Sequence, residues 1–432
     1  MWRGYMRPVA WLVLGPALAA LLLGGAGSAF AQRRPALTAA LPTPPALTSP
    51  TRIVALDARL AGDDKRTRLV FDLSRKLDLR AFVLSDPYRV IVDLPEVMFD
   101  LPAAAGREGR GLVSAFRYGM FAPGKARIVI DAKGPVAIDK AYVLAEQDEQ
   151  PARLVIDLVK SDRESFVKTA ALQRNAGIVA SIPADARTLR DIPAPRDGKP
   201  VIVIDPGHGG LDTGAISRGG EEEKAIVLAV AQKLRDRLDK SGRYRVVLTR
   251  NDDTFIPLGD RVAVARAQKA ALFISIHADS ISRREGDVRG ATVYTVSERA
   301  SDAEAAKLAE TENRADLIAG IDLKEATDDV AEILFELAHR ETKNFSAHFA
   351  RTLVGQMKAA ARMHPQPLKS AGFKVLKAPD IPSVLLELGY LSSKEDAKLL
   401  ASDAWRDKVS ESLMTAIDSF FATKVAGTAP AR

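Results

Sequence analysis

The chain of 432 residues contains no cysteine. That excludes a disulfide scaffold, thiolate zinc sites, iron–sulfur clusters and a cysteine nucleophile. A metal here has to be held by His, Asp or Glu. Histidine is scarce too, at five residues, so each can be weighed singly. Aromatics make up 6%, which argues against a lectin-like recognition surface. Charge of one sign is not concentrated either. The net charge is +7, and Arg3 and Arg7 lie in an acid-free stretch of 31 residues at the N-terminus. A mildly basic surface suits weak contact with an anionic polymer and disfavours nucleic-acid binding. What is present is ordinary: 47% hydrophobic and 27% charged residues, in a length that allows two or three domains.

Met1–Arg7 is a short basic start, and Pro8–Ala31 runs 24 residues without a charge to Ala29-Phe30-Ala31. A basic start, an apolar run and a small-residue terminus predict a secretory signal, cut after Ala31. Five glycines and prolines (Gly15, Pro16, Gly24, Gly25, Gly27) weaken the run as a permanent span. No second long apolar stretch follows, so no membrane span is expected after cleavage. Gln32–Pro50, with five prolines, reads as a linker.

From Thr51 one short pattern recurs four times: Arg68 to Asp72, Arg89 to Asp93, Arg127 to Asp131 and Arg153 to Asp157. Each is an apolar β-like triplet between Arg and Asp. First and third are 59 residues apart, second and fourth 64. This predicts a duplicated unit of strands and a small all-β sandwich over residues 51–160. The flanking Arg and Asp read as solvated strand ends. Residues 161–199, rich in proline at the end, read as a second linker with room for one short helix.

From Pro200 strand and helix alternate. Strands are expected at Val201–Asp205, Tyr244–Thr249, Ala271–Ile276, Ala291–Val296 and Ser383–Leu388, and helices at Glu221–Lys240 and Leu258–Lys269. That implies an α/β domain over residues 200–422, its sheet mainly parallel with helices on both faces, and a short tail at 423–432. Reactive groups of such sheets gather at the carboxyl ends of the strands.

Three strand ends carry chemistry: Asp205-Pro-Gly-His-Gly-Gly210, Ser275-Ile-His277-Ala-Asp279 and Leu385-Leu-Glu387-Leu-Gly389. Neutral imidazole is the commonest transition-metal ligand, and glycines 207, 209 and 210 would let the backbone approach an ion. A catalytic zinc takes three protein ligands and keeps one position open. The third candidate comes from Glu221-Glu-Glu-Lys224. Helix phase turns Glu223 toward Ile226, Val227 and the sheet, whereas Glu221 and Glu222 point to solvent and suit the helix dipole. Glu387 in an apolar strand would be costly without a charged partner or metal nearby. His339, His348 and His364 lie in charged or helical stretches and read as ordinary residues.

These four motifs in order, over residues 200–422, resemble the zinc-dependent N-acetylmuramoyl-L-alanine amidases of bacterial cell division. The duplicated β-region resembles the AMIN domain that often precedes them. The resemblance implies Zn²⁺ held by His208, Glu223 and His277, Glu387 as catalytic carboxylate, and peptidoglycan as substrate in the periplasm. The triple Glu221–Glu223 departs from the family's more usual single acid. The resemblance also implies a regulatory insert at 298–343, with Glu312 able to occupy the open zinc position. A periplasmic activator would then bind the stripe Val330, Ile333, Leu334 and Leu337 within Asp328–Arg340. Two alternatives stay open from the residues: a zinc carboxypeptidase acting on the stem peptide, and a non-catalytic peptidoglycan-binding protein.

Overall fold

A computed structural model describes residues 52–175, 198–280, 289–319 and 335–427, save positions 86 and 103. The expected signal, the first linker, most of the second and the Val330–Leu334 part of the stripe lie outside these residues. Residues 51–432 form one compact unit.

The N-terminal part is built from β1 (Ile53–Gly62), β2 (Arg66–Leu73), β3 (Arg80–Leu84), β4 (Arg89–Pro95), β5 (Val97–Phe99), β6 (Val113–Ala122), β7 (Lys125–Ala132), β8 (Val136–Leu144) and β9 (Ala152–Lys160). They make two sheets, ordered β5-β1-β2-β9-β8 and β3-β4-β7-β6. The duplication explains this order. Taking β1–β4 as one copy and β6–β9 as the other, each sheet holds two strands of each copy, and exchanging the copies exchanges the sheets. The Arg–Asp spacing now acquires a cause. Antiparallel pairing sets Arg68 opposite Asp157, Asp72 opposite Arg153, Arg89 opposite Asp131 and Asp93 opposite Arg127. Opposite charges in direct register stabilise and fix the pairing. Arg68 reaches both oxygens of Asp157 at 2.6 and 2.7 Å, and Arg127 both oxygens of Asp93 at 2.5 and 3.1 Å.

The expectation of solvated ends holds for Arg68, whose side chain is 50% exposed, and fails for Arg89 and Arg127, at 2% and 1%. The four-stranded sheet is covered on both faces. Val90, Val92, Ile128 and Ile130 point to the sandwich core, while Phe82, Ile91 and Val129 join a core shared with the C-terminal domain. The stretch with room for one short helix holds one at its start. Helix α1 (Arg163–Asn175) packs Phe166 and Ala170 on the sandwich, and its Gln173 accepts the Val83 amide of edge strand β3.

The C-terminal domain follows the expected alternation. Its elements are β10 (Val201–Pro206), α2 (Glu223–Ser241), β11 (Arg245–Leu248), α3 (Leu258–Ala267), β12 (Leu272–His277), β13 (Ala291–Val296), α4 (Ala303–Glu312), α5 (Ala315–Ile318), α6 (Phe335–Met357), β14 (Met363–Ala371), β15 (Ser383–Glu387), α7 (Lys394–Leu400) and α8 (Asp403–Gly427). The sheet order is β11-β10-β12-β15-β13-β14, parallel throughout except at β13–β15. Strand residues alternate between faces: Ile202, Ile204 and Ile274 pack under α2, α6 and α8, whereas Val203 and Phe273 pack under α3 and α4. Among the described residues no helix is long and apolar enough to cross a membrane.

Candidate active site

Parallel register brings the strand ends together. Asp205 of β10 lies beside Ser275 of β12, and His277 of β12 beside Glu387 of β15. His208 follows β10 in a left-handed conformation, with φ of 58°. Two buried arginines hold this turn by its carbonyls. Arg261 donates to Pro206 O and His208 O at 2.9 and 2.8 Å, and Arg250 to Pro206 O and Gly207 O at 3.0 and 2.7 Å. Asp205 balances Arg261 at 2.9 Å and accepts Thr249 and Ser275 hydroxyls. No motif in the sequence pointed to either arginine.

Helix α2 starts at Glu223, one turn before its buried stripe Ile226, Val227 and Val230. Glu223 is fully buried, as helix phase predicted, and Glu221 is exposed. Its carboxylate accepts the amides of Ala215 at 2.9 Å and Ala278 at 2.7 Å. Oε1 lies 3.1 Å from His208 Nε2 and 3.3 Å from His277 Nδ1. The three residues offer ligand atoms within 4.8 Å of one another. Both imidazole nitrogens are buried, yet neither makes a hydrogen bond. Buried polar atoms are rarely left so. Converging donors without hydrogen bonds fit ligands around a shared cation, and two imidazoles with one carboxylate suit zinc.

Asp212, which sequence reasoning missed, accepts from His208 Nδ1 at 3.0 Å. That bond leaves Nε2 as the candidate ligand atom. Its only sequence signal was a carboxylate four residues after a turn histidine. Burial opposes charge on His208, but Glu223, Asp212 and Glu312 outweigh it and raise the imidazole pKa well above its usual value. Glu223 is held well below the carboxylate range, because His208 and His277 outweigh its burial.

The glycines do something other than expected. A Cβ on Gly207 would meet the His277 ring at 2.5 Å, so this glycine admits that ring. A Cβ on Gly210 would stand 1.9 Å from the Met120 carbonyl, so that glycine admits the β-domain.

Glu387 is fully buried. One oxygen accepts the Asp279 amide at 3.0 Å, and the other has no partner. Burial, then Glu223 and Asp279, push its pKa well above the usual range. Glu312 arrives from α4. Asp302 caps α4 by accepting the Ala305 amide, and the buried stripe Ala305, Leu308, Ala309 ends in Glu312. Its Oε2 lies 3.2 Å from His277 Nδ1 and 3.7 Å from His208 Nε2. The cavity left between His208, His277, Glu312 and Phe373 measures about 10 Å³, room for no more than one water.

The family profile described as N-acetylmuramoyl-L-alanine amidase matches residues 202–419, and that of the AMIN domain residues 57–158. The chain belongs to the N-acetylmuramoyl-L-alanine amidases. It is 33% identical to amidase AmiC of Escherichia coli over 82% of this chain and 87% of that one. Against amidase AmiC of Neisseria meningitidis the figures are 32%, 85% and 90%. The solved amidase AmiC2 of Nostoc punctiforme covers 52% of this chain and 98% of its own at 26% identity and a TM-score of 0.37. The amidase thus joins an AMIN domain to a catalytic domain, and peptidoglycan is its substrate.

Proposed function

We propose that this amidase is an exported zinc hydrolase of the periplasm. It cleaves the amide between N-acetylmuramic acid and L-alanine during septal wall splitting, and Glu312 holds it shut until an activator acts. The observation that carries the reading is the convergence of His208 Nε2, Glu223 Oε1 and His277 Nδ1, buried and without hydrogen bonds. A zinc ion held by these three residues would supply Lewis acidity at the scissile carbonyl and make a nearby water more acidic. Asp212 fixes the tautomer of His208, and Arg250 and Arg261 hold its turn. Glu387, with a raised pKa and a free oxygen, takes a proton from the attacking water and delivers it to the leaving alanine nitrogen. Mass spectrometry of digested peptidoglycan tests this. Free stem peptides and intact glycan are expected. Release of terminal D-alanine instead would sink the reading.

The position of Glu312 supports the brake. A tethered carboxylate competes with substrate at high effective concentration. Zinc-loaded Glu312→Ala is expected to hydrolyse purified peptidoglycan at least about tenfold faster than wild type without a partner. An unchanged rate in a folded, zinc-loaded variant removes Glu312 from the brake. An activator binding near Asp328–Arg340 would act through preference for the open state.

Among its described residues the AMIN domain carries no catalytic set, which supports a role in location. The chain without residues 51–160 is expected to stay in the supernatant with intact sacculi while the full chain sediments. Equal sedimentation across a salt series would end that assignment.

A further inference from the structure

The four Arg–Asp motifs are one sequence pattern with two environments. Arg68 lies on a solvated sheet face, whereas Arg89 and Arg127 lie on the face buried against the catalytic domain. We propose that this face is an inhibitory surface, on which Arg89 and Arg127 clamp the segment that follows Glu312. The proposal rests on the reading of Glu312 as the plug.

Three observations carry it. First, both guanidinium groups reach that segment. Arg127 Nη1 donates to Ala319 O at 3.0 Å, and Arg89 Nη1 donates to Leu317 O. These carbonyls lie at the carboxyl end of α5, a side on which a cation is favoured. Asp93 holds the Arg127 fork from behind, and the Phe121 ring lies 3.5 Å beneath it. Second, the same sheet face shares a hydrophobic core with the plug helix. Phe82, Leu84, Ile91 and Phe121 share one core with Leu308 and Ala309, which precede Glu312 on its stripe. Third, the β-domain also touches the ligand turn. Met120 of β6 pairs with Thr254, its carbonyl accepts the Phe255 amide at 3.3 Å, and it sits against Gly210, two residues after His208.

Withdrawal of Glu312 requires α4 and α5 to leave their places. Anchors within the catalytic domain also hold them: Asn313 bonds Gly372 O and the Lys374 amide, and Asp316 accepts the Leu258 amide. The arginines add a tie from a different domain. The β-domain therefore biases the closed state by its preference for the docked segment. A partner that lifts it off loosens the plug without touching the zinc.

The test uses the zinc-loaded full chain with Arg89→Gln, Arg127→Gln and both together. Two readouts are needed: release of stem peptides from purified peptidoglycan, and hydrogen exchange of amides 303–319. Removing two charge-assisted bonds should raise basal turnover about tenfold. Zinc content should stay constant, and exchange at 303–319 should quicken while β4 and β7 stay protected. In a Glu312→Ala background the arginine changes should add nothing. If Glu312→Ala is fast and the folded double variant is no faster than wild type, the clamp is wrong and the plug stands. If Glu312→Ala is no faster, the plug reading itself falls and the clamp with it. Should the double variant lose protection in β4 and β7, Arg89→Gln alone and Asp93→Asn decide. A rise of at least about threefold in both is required, and its absence overturns the proposal.

Discussion

Glu387→Gln is expected to keep a full equivalent of zinc while turnover falls about 100-fold or more. The residue stands outside the three-ligand group, so metal content has no reason to change. Glutamine preserves the volume of a fully buried side chain and can still accept the Asp279 amide. It cannot accept the proton of the attacking water. Burial and the neighbouring carboxylates raise the pKa of Glu387, so its carboxylate would be a stronger base toward that proton than a solvated one. Near-normal turnover would remove Glu387 from the mechanism, and zinc loss would make it a ligand.

His208→Ala and His277→Ala should each abolish hydrolysis and drop zinc well below one equivalent. Each deletes one of three ligands, and the remaining pair cannot fix an open tetrahedral site. Each also leaves Glu223 buried beside a hole, which adds instability. Asp212→Asn gives the graded comparison. It leaves all three ligands but weakens the hold on His208, so zinc affinity should fall about 10- to 100-fold. Metal analysis after dialysis against a chelator series separates these cases. One equivalent of zinc retained by both histidine variants would refute the assignment.

The site was largely legible in the sequence, because its parts sit where local pattern is strong. Apolar runs placed the ends of β10, β12 and β15 to within one residue, and helix phase separated Glu223 from Glu221. Glu312 was legible only through the resemblance, yet its place on the stripe with Leu308 and Ala309 has the same helical logic. Features that depend on a distant partner were not legible. Arg89 and Arg127 look like Arg68 in sequence, and only the docking of one sheet face distinguishes them. Arg250 and Arg261 act on backbone carbonyls, which leave no trace in side-chain pattern. Strand β14 lies at the sheet edge, and its Met363–Ala371 sequence lacks the apolar alternation of a covered strand.

The exchange of strands between the two β-copies has a consequence for the order of folding. Neither copy closes a sheet by itself, since β2 pairs with β9 and β4 with β7. The Arg68–Asp157 bond spans 89 residues. A chain emerging amino end first leaves β2 without its neighbour until β9 follows, so the sandwich assembles late and in one step, at the slow pace of non-local pairing. The outer face bearing Arg89 and Arg127 exists only once that step is complete. The whole sandwich emerges before β10, so only if its pairing is slower than catalytic-domain folding would a new enzyme pass through a window with that face incomplete, its length set by β-pairing kinetics.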